Sequence, residues 1–464
     1  MGTKEAHIIE RLTVTDIATN GKCIARHENK VVFVTNSAPG DVADVRITRE
    51  APNFLEGQPI YYHERSTMRQ EPFCEHFSLC GGCQWQHISY EHQATLKGER
   101  VFAALERMGK VQIAEKRPIL GSTQTRFYRN KLNYSFSHKC WIPRELHQSG
   151  TVTDRRGLGF HVPGRFEMVF DVNKCWLQED FSNEVRVAIR EFAKAQGLSF
   201  YNLKKHKGFL RSLTIRTAST GEKMLLMQFA ENDPAGIEQM MNFIATKFPK
   251  ITALLYVINP KEIDTYFDLD IVCYRGRDHI FEEMEGLQFK IGPKSFYQTN
   301  SEQAYALYKV ARDFAQITKD DIVYDLYTGT GTIANFVARQ AKKVVGVEYV
   351  PEAIEDAKAN SRLNDIENTT FYAGDMKDLL TEQFIASNGT PDIIITDPPR
   401  AGMHEDVIAV LQKIAAPRIV YISCNPNTMA RDLKALSDLY DVKIIQPVDM
   451  FPHTGHMECV GVLE

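Results

Sequence analysis

The sequence predicts an α/β protein, in which a small N-terminal β-barrel and an α+β region precede a C-terminal doubly wound, Rossmann-like sheet. Short runs of alternating apolar and polar residues fill 6–62, mixed helical and strand-like stretches fill 64–290, and strands alternate with helices from about 301. This last pattern is typical of a mostly parallel sheet with helices on both faces. We therefore expect domains at 1–63, 64–290 and 291–464, in line with roughly 150 residues per domain.

The N-terminal strands are predicted from runs such as Val31–Val34 and Asp41–Ile47, separated by the Pro39-Gly40 turn. Short strands with turn residues between them indicate an antiparallel barrel, a shape that many oligonucleotide-binding modules use. A β-extension that serves only for packing is the alternative. In the middle region we predict helices at Tyr90–Met108 and Asp180–Gln196, together with strands but no particular topology.

The C-terminal elements follow one another at the spacing of βα units. We predict helices at Gln303–Phe314 and Thr332–Gln340, another that opens at Pro351, and strands at Ile322–Leu326, Lys343–Glu348, Asp392–Thr396, Arg418–Ser423 and Val442–Val448. The segment that starts at Glu458 is expected to fold back as an antiparallel strand.

Charge is unevenly distributed in this chain. The formal net charge is −4, yet residues 101–220 contain 21 lysines and arginines against 10 aspartates and glutamates. Such a block can attract a polyanion, although solvated helix faces explain it equally well. The N-terminus has no apolar signal-peptide region and no run reaches the ~18 apolar residues of a membrane helix. We expect a cytoplasmic protein with no membrane partner.

A nucleotide-type cofactor site is predicted at the ends of the C-terminal strands. Gly329 and Gly331 allow the backbone to approach a ligand, and Glu348 ends the next strand, where it can accept hydrogen bonds from ribose hydroxyls. These features fit NAD as well as S-adenosylmethionine. Asp375 and Asp397 at later strand ends favour S-adenosylmethionine, because polar groups there suit its adenine and methionine parts.

Cys424 and Glu458 are the candidate catalytic residues. Arg400 follows Asp397-Pro398-Pro399, where amino-group methyltransferases carry an aromatic residue, so a carbon target is favoured. Uracil C5 becomes nucleophilic only after addition at C6, and a thiolate suits that step. The C5 proton must then be removed, and a carboxylate near the edge of the sheet would serve as the base. A buried structural cysteine is the alternative for Cys424, and His453 and His456 are alternative bases.

Cysteine spacing indicates a metal centre. Cys74, Cys80 and Cys83 form Cys-x5-Cys-x2-Cys with Gly81-Gly82 inside it, and Cys175 follows far downstream. A reducing compartment argues against disulfides. Zinc remains an alternative, but a single Cys-x2-Cys pair with one remote cysteine favours an iron–sulfur cubane.

Taken together, the ordered motifs resemble those of the RNA (uracil-5-)-methyltransferase family that carries a TRAM domain and a [4Fe-4S] cluster, its 23S ribosomal RNA branch in particular. The resemblance covers nearly the whole chain. The matching segments are 21–26 and 39–41 in the barrel, Tyr128–Lys131 in the middle region, and 295–298, 325–331, 397–400, 423–426 and 451–458 in the catalytic part.

The resemblance implies that S-adenosylmethionine is bound by Gln298, Tyr327, Glu348 and Asp397, with Asp375 near the adenine. It further implies that Cys424 is the nucleophile, that Glu458 is the base, and that the cluster ligands are Cys74, Cys80, Cys83 and Cys175. The family often has Phe-Cys-Gly-x-Gly-Asn where this chain has Tyr327-Thr-Gly-Thr-Gly-Thr332. Thr332 can still hydrogen-bond the cofactor.

We therefore expect a monomeric enzyme that makes 5-methyluridine in RNA, with 23S ribosomal RNA as its substrate and no DNA partner. The same chemistry on transfer RNA, cytosine-5 methylation, and a noncatalytic RNA-binding or ribosome-assembly factor are the alternatives. An NAD-dependent reductase would have no use for Cys424.

Overall fold

The computed structural model describes residues 7–18, 21–152 and 154–464, and gives only the backbone of 144–146 and 166. The expected barrel is confirmed: its five strands close in the order β1-β2-β3-β5-β4. Residues 1–6 of the expected first domain lie outside the described residues. The strands are β1 Ile8–Ile17, β2 Cys23–His27, β3 Lys30–Val34, β4 Val42–Glu50 and β5 Phe54–Glu64.

A long irregular segment with the cysteine-rich turns follows the barrel and leads into helix α1, Tyr90–Ala103, which continues as a π-helical turn, Ala104–Met108. Trp85 from this segment is fully buried in the apolar core of the barrel, and its indole Nε1 donates to the carbonyl oxygen of Gly21 at 3.1 Å. The barrel and the cysteine-rich segment are thus packed together.

The middle region is built on an eight-stranded mixed sheet in the order β14-β13-β12-β11-β7-β9-β10-β8. Its strands are β7 Lys131–Ser137, β8 Cys140–Trp141, β9 Gly157–Val162, β10 Arg165–Asp171, β11 Leu210–Thr217, β12 Lys223–Phe229, β13 Ala253–Ile258 and β14 Ile271–Gly276. The helices of this region are α2 Arg144–Ser149, α3 Asp180–Ala195 and α4 Pro234–Lys247. The α+β prediction is confirmed.

The C-terminal sheet has the order β19-β18-β17-β20-β21-β23-β22-β6 and is parallel except for β23. Its strands are β6 Ile113–Lys116, β17 Ile322–Leu326, β18 Lys343–Glu348, β19 Thr369–Ala373, β20 Ile393–Thr396, β21 Arg418–Ser423, β22 Val442–Val448 and β23 Glu458–Leu463. The predicted doubly wound sheet and its antiparallel last strand are confirmed.

Helices pack on both faces of this sheet, and a hairpin precedes them. The helices are α5 Ser301–Ala315, α6 Thr332–Ala338, α7 Pro351–Leu363, α8 Met376–Leu379, α9 Glu382–Asn388, α10 Glu405–Ile414 and α11 Pro426–Leu436. The hairpin consists of β15 Ile280–Met284 and β16 Leu287–Ile291. Side chains of Asn360 and Asn364 on α7 accept hydrogen bonds from the β16 backbone, so the hairpin is held against the C-terminal helices.

One strand of the C-terminal sheet is far in sequence from the strand with which it pairs. The parallel edge strand β6 pairs with β22, although residues 113–116 fall inside the range predicted for the middle region. The π-helical turn before β6 packs on α11, which brings this whole segment onto the C-terminal sheet. None of the helices in the described parts of the chain combines the length and the apolar character that a membrane span requires.

Candidate active site

The predicted site residues converge at one edge of the C-terminal sheet because parallel strands end on the same side. Glu348 ends β18, Asp397 follows β20 and Cys424 follows β21. Strand β23 runs antiparallel to β21 with Ser423 opposite Cys459, so β23 begins at this edge. Its first residue, Glu458, therefore lies beside Cys424.

The turn after β17 forms one half of a cleft. Gly329 has a φ of 54°, a left-handed conformation that suits glycine, and a Cβ placed there would meet nothing within 4 Å. The amide of Gly329 donates to Glu348 Oε2 at 3.1 Å, while Glu348 Oε1 accepts from the amide of Val350 at 3.1 Å. This half of the cleft can hold a nucleoside, with the Glu348 carboxylate oriented for ribose hydroxyls.

Other predicted ligand residues lie around the same turn. Asp375 caps α8, its Oδ1 accepting from the amide of Lys377 at 3.2 Å, and Tyr327 has a φ of 63° at the strand end. Burial raises the pKa of Tyr327 to about 12, and the negative charges of Asp375 and Glu348 add to this effect. The hydroxyl of Thr332 is 3.3 Å from that of Thr330 and largely buried.

Gln298 reaches the cleft from the loop before α5. Asn130 of the middle region anchors this loop, because its amide side chain donates to the carbonyl of Gln298 at 2.9 Å and to the hydroxyl of Ser301 at 2.8 Å. Tyr308 on α5 hydrogen-bonds the Gln298 side chain and is nearly inaccessible to solvent. Helix α5 packs on β20, β21 and β23, so it carries Tyr308 beneath the site.

Opposing charges surround the Cys424 thiol. Burial and the carboxylates of Glu458 and Asp397 raise the pKa of Cys424 to about 11, while the guanidinium of Arg400 acts in the opposite direction. Arg400 hydrogen-bonds the thiol and is itself exposed. It is the residue that can favour the thiolate, because a cation next to a thiol lowers the pKa of that thiol.

Glu458 and Asp397 are poised as proton acceptors. Burial raises the pKa of Glu458 well above its ordinary range, and the neighbouring Asp397 adds to the effect. Burial and the charge of Asp325 raise the pKa of Asp397 to about 7. A carboxylate whose pKa is raised in this way is a stronger base than one in water, and it can take a proton from carbon more readily.

The two histidines that were alternative bases differ in setting. His453 is buried, and that burial lowers its pKa to about 4. The Nδ1 of His456 lies 2.6 Å from Nη2 of Arg400, and burial together with this arginine lowers the pKa of His456. Glu458 is therefore the better placed base.

Two contributors escaped the sequence analysis. Arg400 was used only to exclude amino-group methylation, although its position after the second proline carries it to the thiol. Tyr308 lies on a helix whose apolar face looks like ordinary core, and no sequence signal distinguishes it from its neighbours.

The four predicted cluster cysteines are brought together from two parts of the chain. Each of Cys74, Cys80 and Cys83 is electrostatically coupled to Cys175, and burial is the main reason that the pKa of Cys80 is raised to about 11. The Nε2 of His76 accepts from the amide of Asn173 at 3.1 Å, which ties the first cysteine loop to the segment before Cys175.

In the described ranges, no three His, Cys, Asp or Glu side chains form a group that could hold a single ion.

A buried arginine lies next to these thiols. Arg186 on α3 is fully inaccessible, and its guanidinium donates to the carbonyls of Val172 and Asn173 and to Oδ1 of Asn183. All of these acceptors are neutral, and its Nε has no partner in the part of the chain that the structure describes. A buried cation is costly unless an anion compensates it, and Cys175 is electrostatically coupled to Arg186.

Two family models match this chain. Residues 277–464 match the model described as tRNA (Uracil-5-)-methyltransferase, and residues 9–60 match the TRAM domain. Both matches fall where the structure has the C-terminal sheet and the barrel.

Relatives of nearly equal length are also found. An uncharacterized RNA methyltransferase from Bacteroides thetaiotaomicron is 53% identical over 452 residues, which are 97% of this chain and 100% of the relative. One from Porphyromonas gingivalis is 52% identical and covers 97% and 99%.

Among solved structures, the tRNA (uracil-54, C5)-methyltransferase of Pyrococcus abyssi in complex with S-adenosyl-L-homocysteine superposes with a TM-score of 0.75. It is 26% identical, and the match covers 98% of this chain and 100% of that one.

Proposed function

The chain belongs to the family of TRAM-containing RNA (uracil-5-)-methyltransferases, enzymes that methylate C5 of uracil in RNA at the expense of S-adenosylmethionine, and we propose that Cys424 is its nucleophile and Glu458 its base. The observation that carries this assignment is the pairing of β21 with β23, which sets Cys424 and Glu458 side by side with Arg400 next to the thiol.

In the proposed reaction, the Cys424 thiol releases its proton to solvent, the cation of Arg400 stabilises the resulting thiolate, and the thiolate adds to C6 of the uracil. The electron pair of the C5–C6 double bond then makes C5 the nucleophile. Bound S-adenosylmethionine supplies the methyl group. Glu458 takes the proton from C5, and the returning electron pair expels the Cys424 thiolate, which restores the enzyme and leaves 5-methyluracil.

We assign S-adenosylmethionine to the cleft beside Gly329. Glu348 would accept from the ribose hydroxyls, with Gln298, Tyr327, Thr332 and Asp397 around the methionine part and Asp375 near the adenine. The open space at Gly329 and the oriented Glu348 carboxylate support this assignment. The relative from Pyrococcus abyssi carries S-adenosyl-L-homocysteine, the demethylated form of the same molecule.

A [4Fe-4S] cluster is the second group that we propose, with Cys74, Cys80, Cys83 and Cys175 as its ligands. The buried cation of Arg186, which is hydrogen-bonded only to neutral acceptors, fits an anionic thiolate-bound cluster.

The cluster is tested by measuring iron, acid-labile sulfide and zinc in protein purified without oxygen. About four irons per chain are expected, with loss in Cys83→Ser. One zinc per chain would contradict the assignment.

For the substrate we propose 23S ribosomal RNA, because the combination of barrel, cysteine motif and catalytic motifs resembles that branch. The RNA would be bound as a monomeric complex in the cytoplasm, where free thiols stay reduced. The Pyrococcus abyssi relative acts on transfer RNA, so both RNA classes must be compared in one assay. Faster methylation of a transfer RNA transcript would overturn the ribosomal choice and leave the chemistry intact.

The catalytic assignment is tested with an RNA that contains 5-fluorouridine. Fluorine at C5 cannot leave as a proton does, so the Cys424 adduct should persist and appear in mass spectra of the denatured complex. Cys424→Ala should form no adduct, whereas Cys459→Ser, at a buried cysteine next to Glu458, should still form it. No adduct from the wild-type protein on either RNA class would instead favour a noncatalytic RNA-binding factor.

A further inference from the structure

The loop between β22 and β23, residues 449–457, leads directly into Glu458. Val448 at the end of β22 pairs with Glu458, the first residue of β23, so the loop starts and ends beside the proposed base. Any change in the loop is therefore transmitted to the Glu458 backbone.

His453 at the tip of this loop is held entirely by residues from the N-terminal third of the chain. Its amide donates to Gln93 Oε1 at 2.8 Å, and its carbonyl accepts from the amides of Gln84 at 2.8 Å and Trp85 at 3.1 Å. Its ring Nε2 is 2.9 Å from the carbonyl of Thr125, and its Nδ1 is 3.1 Å from Gln93 Nε2.

These contacts assign the protonation of the ring. A carbonyl accepts only, so Nε2 carries the hydrogen that binds Thr125, and Nδ1 accepts from the Gln93 amide. Both ring nitrogens of His453 are therefore bonded to residues of the N-terminal third and neither is directed at Glu458. Its function must come from where it holds the chain.

The backbone of His453 is in a conformation that it would not adopt freely. Its φ is 66°, in the left-handed region that costs about 1 kcal/mol or more for most residues with a side chain. Such a conformation persists when surrounding contacts enforce it, and the five contacts listed above are all external to the C-terminal sheet. Four of them come from the segment that directly follows Cys83 and from α1, and the fifth comes from Thr125 in the loop between β6 and β7.

A sixth contact extends the same attachment. Gln84 Oε1 accepts from the amide of Gly455 at 3.0 Å, two residues beyond His453. In contrast, the backbone of Arg400 is held within the C-terminal part, because its carbonyl accepts from Asn425 Nδ2 at 3.1 Å. The external contacts thus act on the loop that leads to Glu458, whereas the Arg400 backbone is held by the C-terminal part and only its side chain meets the loop, at His456.

We propose that His453 is a positioning residue for Glu458, through which the segment of Gln84 and Gln93 fixes the proposed base from outside the catalytic sheet. This inference rests on the proposed function, because it requires Glu458 to remove the C5 proton. It assigns the cysteine-rich segment a role in the second half of the reaction. A protein in which His453 is no longer held by this segment should still form the covalent adduct, but it should resolve the adduct slowly.

Two substitutions at one position test this inference. Val is β-branched and strongly disfavours a positive φ, whereas Asn adopts it more readily than most residues. We expect His453→Val to resolve the adduct on ordinary uridine RNA at least tenfold more slowly than wild type, and His453→Asn to stay closer to wild type. Single-turnover reactions quenched in denaturant give the rates of adduct formation and decay on gels.

Two parallel measurements make the outcome decisive. S-adenosylmethionine binding by calorimetry should change less than twofold in His453→Val. Glu458→Gln should accumulate the same adduct, and if it does not, the proposed base is wrong and the inference falls with it. If Glu458→Gln accumulates adduct and soluble His453→Val does not, the base assignment stands and the positioning role is overturned.

A milder variant covers the case in which His453→Val does not fold. Gln84→Leu keeps the backbone bond from residue 84 to His453 and removes the side-chain contact with the amide of Gly455. We expect it to slow adduct decay by a few fold, and decay at the wild-type rate would overturn the proposal.

Discussion

Lys97 and Asp449 form an ion pair that is completely buried, with Nζ and Oδ1 2.6 Å apart and both side chains 0% exposed. Lys97 lies on α1, and Asp449 directly follows β22, 352 positions later in sequence. The same Nζ donates to the carbonyl of Phe451 at 3.0 Å. Because both charges are out of water, each depends on the other, and the pair fixes α1 against the start of the loop that leads to Glu458.

Breaking this pair from one side should be costly. We expect Lys97→Met to lower the free energy of unfolding by about 3–5 kcal/mol, since it leaves the Asp449 carboxylate buried without a cation. The double variant Lys97→Met/Asp449→Leu should recover most of that loss. Denaturant titrations of the three proteins measure it, and a double variant as unstable as Lys97→Met would show that the charges are not the cause.

Arg400 should control the reactivity of Cys424. Removing the cation in Arg400→Gln raises the pKa of the thiol further, so less thiolate is present below that pKa. We expect alkylation of Cys424 by iodoacetamide at pH 9 to slow about 3- to 10-fold. A rise of about half to one unit in the pKa of the thiol lowers the fraction of reactive thiolate by that factor. Peptide mass spectrometry follows the reaction, with the exposed Cys273 as an internal reference whose rate should not change.

Asp325 should make stability depend on pH. Burial raises its pKa from 3.8 to about 7, and its Oδ2 accepts from the amide of Ala334 at 3.0 Å. Between these two pH values the folded protein keeps a proton that the unfolded chain releases, so this residue lowers stability as pH rises from about 4 to 7.

Asp325→Asn removes this dependence. The melting temperature of the variant relative to wild type should therefore rise between pH 5 and pH 8, by the equivalent of at most about 3 kcal/mol. Calorimetry without cofactor measures it. A difference that stays constant over this range would show that the pKa of Asp325 is not raised.

Glu348 should contribute strongly to cofactor affinity. Glu348→Gln keeps an oxygen for the Gly329 amide but loses the charge that strengthens hydrogen bonds from the ribose. Weakening one or two charge-assisted hydrogen bonds in this way should raise the dissociation constant of S-adenosylmethionine roughly 10- to 100-fold. Isothermal calorimetry measures the constant, and Glu352→Gln on the exposed face of α7 is the control that should bind as wild type does.

Much of the candidate site could be predicted from the sequence because it lies at strand ends. Glu348, Asp397 and Cys424 each follow a recognisable buried strand, and parallel strands bring such residues to one edge without further information. The antiparallel direction of the strand that begins at Glu458 was also predictable, since Pro452 and the turn before it interrupt the alternation of strands and helices.

Other features depend on contacts between distant parts of the chain, which local patterns do not encode. The pairing of β6 with β22 is one example, because four residues at 113–116 carry no sign of their partner. The burial of Lys97 is another example, since a charged residue in a helix is predicted to be exposed to solvent unless its partner is known. The strand order of the middle sheet was likewise not predictable from periodicity.

The position of β6 has a consequence for how the protein is made. Its partner strand β22 begins at Val442, so a ribosome must add more than 300 residues after β6 before the two can pair. At about 5–20 residues per second, this delay is on the order of tens of seconds. During that time Val101 of α1 and the free edge of β6 have no native partner, which is when a nascent chain is most exposed to aggregation. We therefore expect the barrel to be complete early in synthesis, whereas the catalytic sheet closes only after the last strand leaves the ribosome.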